Sequence, residues 1–274
     1  MDWGMRNRML RMFRPPRGNS VMLAVDHGYF MGPTRRLEDI RATVTPLLPH
    51  ADVVALTRGV LRTCVPPEST TPILLRVSGG ATILQEDLSD EAITTSMRDA
   101  ARLNVSAVAL SVFVGAPHEH QSLVNLSKLV DDGEEAGIPV MAITAVGKEL
   151  EKRDARYLAL ACRVSAEIGA HVVKTYYCDG FSKVVEGCPA PIVVAGGPRL
   201  DSDRAALELA HHAIAEGARG LDMGRNIWQS DHPVSMLKAL RAIVHEKATV
   251  REALDVLEGE KARETVALPA TPAA

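Results

Sequence analysis

Lys174 stands in HVVKTYYCDG, near the end of a short apolar run, and Asp26, His27 and Gly28 close another such run, VMLAVDHG, near the start of the chain. An amine and a carboxylate at the C-terminal ends of buried strands suit carbonyl chemistry through a Schiff base. A lysine attacks a ketone only as the neutral amine, so desolvation or a nearby positive group is expected to bring its pKa down from ~10.4. The iminium then withdraws electrons from the adjacent carbon–carbon bond, while Asp26 moves protons to and from the substrate hydroxyl or the carbinolamine. The blander reading has Lys174 snorkelling to solvent and Asp26 capping a loop. Period-two alternation denies His27 the strand face that Asp26 takes, so His27 belongs to the loop, touching substrate or packing beneath it. Tyr176 and Tyr177 are two of only four tyrosines. Either donates its hydroxyl to substrate or packs in the loop.

Two later segments suit an anion. VVAGGPRL and DMGRNIWQ present Gly196, Gly197, Gly224, Arg225 and Asn226. Glycines let backbone N–H groups approach a phosphate closely, and Arg225 adds charge unless it pairs with a surface acid. A phosphorylated, carbonyl-bearing substrate fits both halves of such a pocket. Other candidates are weaker. Arg58 and Arg76 end the second and third strands, where they contact substrate or seal the rim. His118, Glu119 and His120 lack the i,i+4 spacing of a helical zinc motif, and no metal is expected. His211 and His212 fall on a helix outside the site, Asp231-His232-Pro233 punctuates a helix start, and no G-x-S-x-G elbow occurs.

The elements that must position these groups recur along the chain. Apolar runs fall at 21–25, 51–57, 72–77, 105–114, 139–144, 171–175, 191–195 and 218–223. Most are continuously apolar, as expected of a parallel sheet covered by helices. Three begin with Pro72, Pro139 and Pro191, a position where proline is tolerated. Helical stripes fill the gaps, among them Tyr157, Ala161, Val164 and Ile168, and Leu207, Ala210 and Ile214. Helices over 154–168 and 201–216 end before Gly169 and Gly217, and another before Gly137. Asp90 is the expected cap of a helix over 91–103, and Ser202 or Asp201 of the helix after the seventh strand. Eight strands with interleaved helices predict a (β/α)8 TIM barrel, α/β in class, with its site at the C-terminal strand ends. A doubly wound sheet would need a glycine-rich turn after the first strand, which is missing. The expected division is an N-terminal extension over 1–18, the barrel over 19–247, and a C-terminal helix and disordered tail over 248–274, with no second domain.

Composition narrows the classes further. The chain has 274 residues, 46% hydrophobic, with a net charge of -3 and no basic stripe, so nucleic acid is not an expected partner. No run approaches the ~20 apolar residues of a membrane span, and the basic start lacks a signal-peptide core. Cys64, Cys162, Cys178 and Cys188 show no paired spacing, which favours a reduced, cytoplasmic setting.

The stretches DWGMRNRMLRMF, VMLAVDHGYFMGP, HADVVALTRGVLR, EHQSLVN, VVKTYY, GCPAPIVVAGG and GLDMGRNIWQSDHPV resemble the DhnA-type class I aldolase family. The likeness spans residues 2 to about 258 and is strongest to its thiolase branch. It implies an aldolase-like barrel that transfers the acetyl group of 3-hydroxy-5-phosphonooxypentane-2,4-dione to coenzyme A, a co-substrate and not a bound cofactor. Dihydroxyacetone phosphate and acetyl-CoA would result. It also implies that Lys174 is the Schiff-base lysine, Asp26 the acid of the first strand, and Gly197, Gly224 and Arg225 phosphate ligands, within a large homo-oligomer. Aldolases of the family place a tyrosine after the fifth strand; AITAVGKELEK has none. A fructose-bisphosphate aldolase is therefore the runner-up, and a noncatalytic phosphate-sugar binding barrel the third reading.

Overall fold

A computed structural model describes residues 2–16, 18–145 and 154–267. Among these described residues ten strands form: β1 (Ser20–Ala24), β2 (Val53–Thr57), β3 (Ile73–Arg76), β4 (Ser78–Gly79), β5 (Ala92–Ile93), β6 (Ala107–Val112), β7 (Val140–Thr144), β8 (Val172–Tyr176), β9 (Ile192–Ala195) and β10 (Gly220–Met223). Eight of them, in the order β1-β10-β9-β8-β7-β6-β3-β2, close into an all-parallel barrel, while β4 and β5 pair antiparallel beside it. Every expected apolar run holds one barrel strand. Pro72, Pro139 and Pro191 sit just before their strands and lend carbonyls to Val54, Val108 and Val173 on the neighbours. They have no N–H to lose there. Closure depends on Gly220, where a Cβ would stand 2.2 Å from the Ser20 carbonyl oxygen.

Helices wrap the outside much as their stripes predict. Asp154 caps Ala155–Glu167 and Ser202 caps Asp203–Ala215, while Gly137 ends Glu119–Ala136 in the left-handed conformation. The segment after β3 departs from expectation. Asp90 caps no helix; residues 92–93 are extended against β4, and Ser96 caps the shorter helix Met97–Arg102. The cause is Glu91, whose carboxylate is drawn inward to Arg76. Residues 146–153, which hold most of the tyrosine-free segment after β7, lie outside the described residues. Among the described residues no helix is long and apolar enough to cross a membrane, and all four cysteines are free thiols.

Alternation sorts the barrel into a floor and a site. Met22, Val53, Ala55, Leu74, Ala107, Ala109, Met141, Val172 and Val193 form an inner apolar cluster, closed below by Met12 and Phe13 of the N-terminal segment. Burying each large apolar side chain stabilises the fold by roughly 1.5–3 kcal/mol. Two residues further along the strands, the same face presents Ala24, Arg76, Ser111, Ile143, Lys174, Ala195 and Asp222. The floor is apolar and the top is charged.

The base has its own polar anchor. Asp52, fully buried before β2, accepts hydrogen bonds from Val21 N (2.8 Å), Arg241 Nη1 (2.7 Å) and His245 Nε2 (2.6 Å). Burial alone would raise its pKa; these hydrogen bonds outweigh that and hold the carboxyl at about 2. A carboxyl depressed on folding adds stability above its unfolded pKa and loses it as pH falls through the folded one. Wild type is therefore expected to lose this contribution between about pH 4 and pH 2. Asp52→Ala, which leaves Arg241 unpaired, should cost about 3–5 kcal/mol at neutral pH in urea unfolding. It should also flatten the stability curve over that acid range.

Candidate active site

The top of the barrel opens into a pocket lined by residues from almost every strand end, with Lys174 and Asp222 at its base. Lys174 projects from β8 and Asp222 from β10, and Nζ lies 2.8 Å from Asp222 Oδ2. Ala195 pairs with Asp222 on the intervening β9, and its small side chain lets the lysine reach across. Burial would lower the pKa of the amine. The carboxylates of Asp222 and Asp26 outweigh it and hold the ammonium above its ordinary value. The expected neutral amine is thus corrected: the resting lysine is charged, because Asp222, two strands away, supplies a counter-charge that a buried strand alone does not imply. Burial in turn pushes the Asp222 carboxyl up, against the pull of Lys174. Beyond the lysine, neither Asp222 oxygen accepts a hydrogen bond among the described residues.

Asp26 and His27 both line the pocket. β1 ends at Ala24, so His27 lies in the loop beyond the strand, where strict alternation no longer separates it from Asp26. Asp26 Oδ2 faces Arg76 Nη1 at 3.6 Å, and its Oδ1 faces His27 Nδ1 at 3.9 Å. The His27 ring meets Trp228 edge-on at 5.5 Å, and Trp228 Nε1 donates to the Ala24 carbonyl. A Cβ on Gly224 would approach His27 Cε1 to 2.6 Å, so glycine is required there for the ring to fit. Burial lowers the His27 pKa to about 4, with Asp26 opposing and Lys174, Arg225 and Arg76 reinforcing. The imidazole is neutral at physiological pH.

Opposite Lys174, Arg76 is held in a cage. Its Nε donates to the Ser78 carbonyl (3.1 Å), and its Nη2 faces both Glu91 oxygens (3.0 and 3.1 Å), Tyr29 Oη and Ser111 Oγ. Tyr29 donates to Glu91 Oε1 at 2.7 Å and Ser78 Oγ to Oε2 at 2.6 Å. In the sequence Arg76 is a weak candidate and Asp222 ends the eighth strand without an assigned role, while Tyr29, Glu91 and Ser111 were missed. Alternation from Leu74 and Gly220 would have found Arg76 and Asp222; no local signal marks Glu91.

The late loops supply the other wall. Gly196, Gly197, Gly224 and Arg225 line the pocket, with Gly197 at φ 65°. Asn226 does not offer its side chain to an anion, contrary to expectation. Its amide donates to the Gly196 and Pro198 carbonyls (2.8 and 3.1 Å) and accepts from Leu200 N (2.8 Å), tying the two loops together. Tyr176 lines the pocket, whereas Tyr177 donates to Glu216 and packs on Phe181. Arg58 pairs with Asp99 at 3.0 Å and stays out of the pocket. His118 lies beside Asp87 and Asp90, and among the described residues no cluster is placed to hold a metal ion. His211 and His212 contact each other, and Asp231 pairs with Arg36.

A closed (β/α)8 barrel with a lysine amine buried at its mouth among carboxylates defines an enzyme of the class I aldolase type, which works through a Schiff base. Comparison with known proteins narrows the class. Residues 20–230 match the model of the DeoC/LacD family aldolases. A 3-hydroxy-5-phosphonooxypentane-2,4-dione thiolase from Escherichia coli is 53% identical over 262 residues, covering 95% of this chain and 89% of that protein. A thiolase of the same name from Photorhabdus laumondii is 52% identical with the same coverage. An archaeal fructose-1,6-bisphosphate aldolase, solved with its catalytic lysine covalently bound to the carbinolamine intermediate, is 25% identical with a TM-score of 0.79. That match covers 88% of this chain and 99% of the aldolase. The chain belongs to the DeoC/LacD aldolase family.

The neutral state of His27 is directly measurable. In a proton NMR titration its ring should stay uncharged from pH 8 down to about pH 5 and titrate near pH 4. A midpoint near the ordinary ~6.5 would show that the ring is not desolvated as described.

Proposed function

We propose that this enzyme is a thiolase. It transfers the acetyl group of 3-hydroxy-5-phosphonooxypentane-2,4-dione to coenzyme A, giving acetyl-CoA and dihydroxyacetone phosphate. The observation that carries this reading is 53% identity along nearly the whole chain to proteins of that name, with the lysine and its carboxylates set at the barrel mouth. Coenzyme A enters as co-substrate. Four free thiols support a reducing compartment, the cytoplasm. Trp3 and Leu10, exposed and seven residues apart on the N-terminal helix, support burial between copies in a homo-oligomer.

The steps follow from the charges. Asp222, its pKa raised by burial, takes a proton from Lys174, and the freed amine adds to the ketone next to the phosphate-bearing carbon. Asp26 carries a proton from the nitrogen of the adduct to its oxygen, Asp222 gives back the proton it took, and the hydroxyl leaves as water to yield the iminium. Neutral His27 packs beside Asp26 and positions it against the substrate. The phosphate lies on the backbone of Gly196, Gly197 and Gly224 with Arg225 as counter-charge. The thiol then attacks the acetyl carbonyl, and the carbon–carbon bond breaks with its electrons flowing into the iminium. The resulting enamine is protonated and hydrolysed, returning Lys174.

The likeness to the archaeal aldolase favours one second reading, aldol cleavage of a phosphorylated sugar without a thiol. Assaying the dione and fructose 1,6-bisphosphate with and without coenzyme A separates the two. Borohydride reduction in the presence of substrate should label the peptide containing Lys174, and Lys174→Ala should abolish both adduct and turnover. An adduct that persists elsewhere in that variant would sink the assignment. Asp222→Asn is expected to lower kcat by about 10²–10⁴-fold while leaving KM near wild type. Arg225→Ala should instead raise KM for the phosphorylated substrate by about tenfold or more.

A further inference from the structure

We infer that Arg76 forms a subsite for the acyl carbonyl of the substrate, its Nη1 amino group binding the oxygen that becomes an alkoxide when the thiol adds. The assignment rests on the thiolase reading and names the group that reading leaves unassigned.

Barrel order sets the direction. The glycine loops follow β9 and β10, and Lys174 lies on the adjacent β8. In the ring β1-β10-β9-β8-β7-β6-β3-β2, the strands diametrically opposite β9 and β10 are β3 and β6, respectively. A linear substrate with its phosphate in those loops and its neighbouring ketone on Lys174 must extend its acyl end across the mouth. It arrives at Arg76 on β3 and Ser111 on β6, both of which line the pocket.

The cage leaves one donor for it. Nε is engaged by the Ser78 carbonyl, and Nη2 is turned to Glu91, Tyr29 and Ser111. Nη1 faces Asp26 at 3.6 Å, an ion-pair separation too long for a hydrogen bond. The guanidinium also stacks over the Tyr29 ring, 4.3 Å from its centre. A cation fixed on three sides cannot swing toward a ground-state ligand. It is thus organised in advance for charge that develops at one point, as an oxyanion donor must be.

The step balances. The thiol proton passes to a pocket base and the thiolate sulfur bonds to the acyl carbon, so the carbonyl electron pair moves to oxygen against Nη1. The carbonyl then re-forms, the carbon–carbon bond breaks, and its electron pair enters the iminium to give the enamine. The proton taken from the thiol is returned at the enamine carbon. The bond from Arg76 Nη1 is made to the acyl carbonyl; Schiff-base formation at Lys174 involves a different carbonyl.

That separation is the test. Two proteins are compared with wild type: Arg76→Lys, and the double variant Arg76→Met with Glu91→Gln, which removes both buried charges together. Each is assayed for thiolysis of the dione by coenzyme A and for borohydride trapping of dihydroxyacetone phosphate on Lys174. Thiolysis kcat is expected to fall by about 10²–10³-fold while trapping stays within about threefold of wild type, which also reports a folded pocket. Thiolysis retained within that margin, or trapping lost in parallel with it, would overturn the subsite. A wild type that traps the product but does not thiolyse the dione would overturn the thiolase reading and this assignment with it.

Discussion

The contact between Lys174 and Asp222 constrains everything above the barrel floor. Two groups that water would solvate separately are buried 2.8 Å apart, and removing either leaves an uncompensated charge in the interior. Such a pair demands a fixed register between β8 and β10, which are not paired along the backbone and are joined in the sheet through β9. That register is set by the strand ladder, with Lys174 opposite Val193 and Asp222 opposite Ala195. A one-residue slip would turn either side chain out among the helices. The continuous apolar runs that build the parallel sheet are thus also what aims the chemistry.

Much of this was legible in the sequence. Apolar runs punctuated by Pro72, Pro139 and Pro191 locate the strands, and their ends locate Lys174 and Asp26. What failed was reading beyond the ends of the periodic elements. Alternation puts His27 in the loop after the first strand with two roles open, and only the end of β1 at Ala24 decides that it faces the pocket. Glu91 carries no helical or strand signature of its own; only Arg76, fifteen residues earlier, explains its burial. Asn226 looked like an anion ligand because it follows Gly224 and Arg225. Its amide is spent instead on three backbone groups that hold the loops in place. The expected neutral lysine failed for a related reason: desolvation is implied by a buried strand, but a counter-charge from a remote strand is not.

The two ends of the barrel divide the physical labour. At the base, Met12 and Phe13 close an apolar plug, and Asp52 binds Val21, Arg241 and His245 into one rigid cluster. At the mouth, Arg76, Lys174 and Arg225 face Asp26, Glu91 and Asp222, with a neutral imidazole among them. Charges near balance keep a desolvated pocket tolerable, yet such groups are weak sources of stability. An apolar floor beneath them lets the mouth be optimised for reactivity, as barrel enzymes separate stability from catalysis.

A charged resting lysine makes proton transfer to Asp222 the first requirement of catalysis. Ammonium and carboxylate together carry two charges; amine and carboxylic acid carry none. Whichever pair is favoured depends on how well the surroundings solvate charge. The Asp222 side chain is fully buried but that of Lys174 keeps 11% exposure at the open mouth, and a phosphorylated substrate seated over it excludes the water there. Desolvation penalises the charged pair and spares the neutral one, so it shifts the proton toward a carboxylate that burial has already made more basic. On this argument occupancy itself unmasks the nucleophile: the amine becomes reactive when a ketone is present to receive it and remains protected as an ammonium when none is.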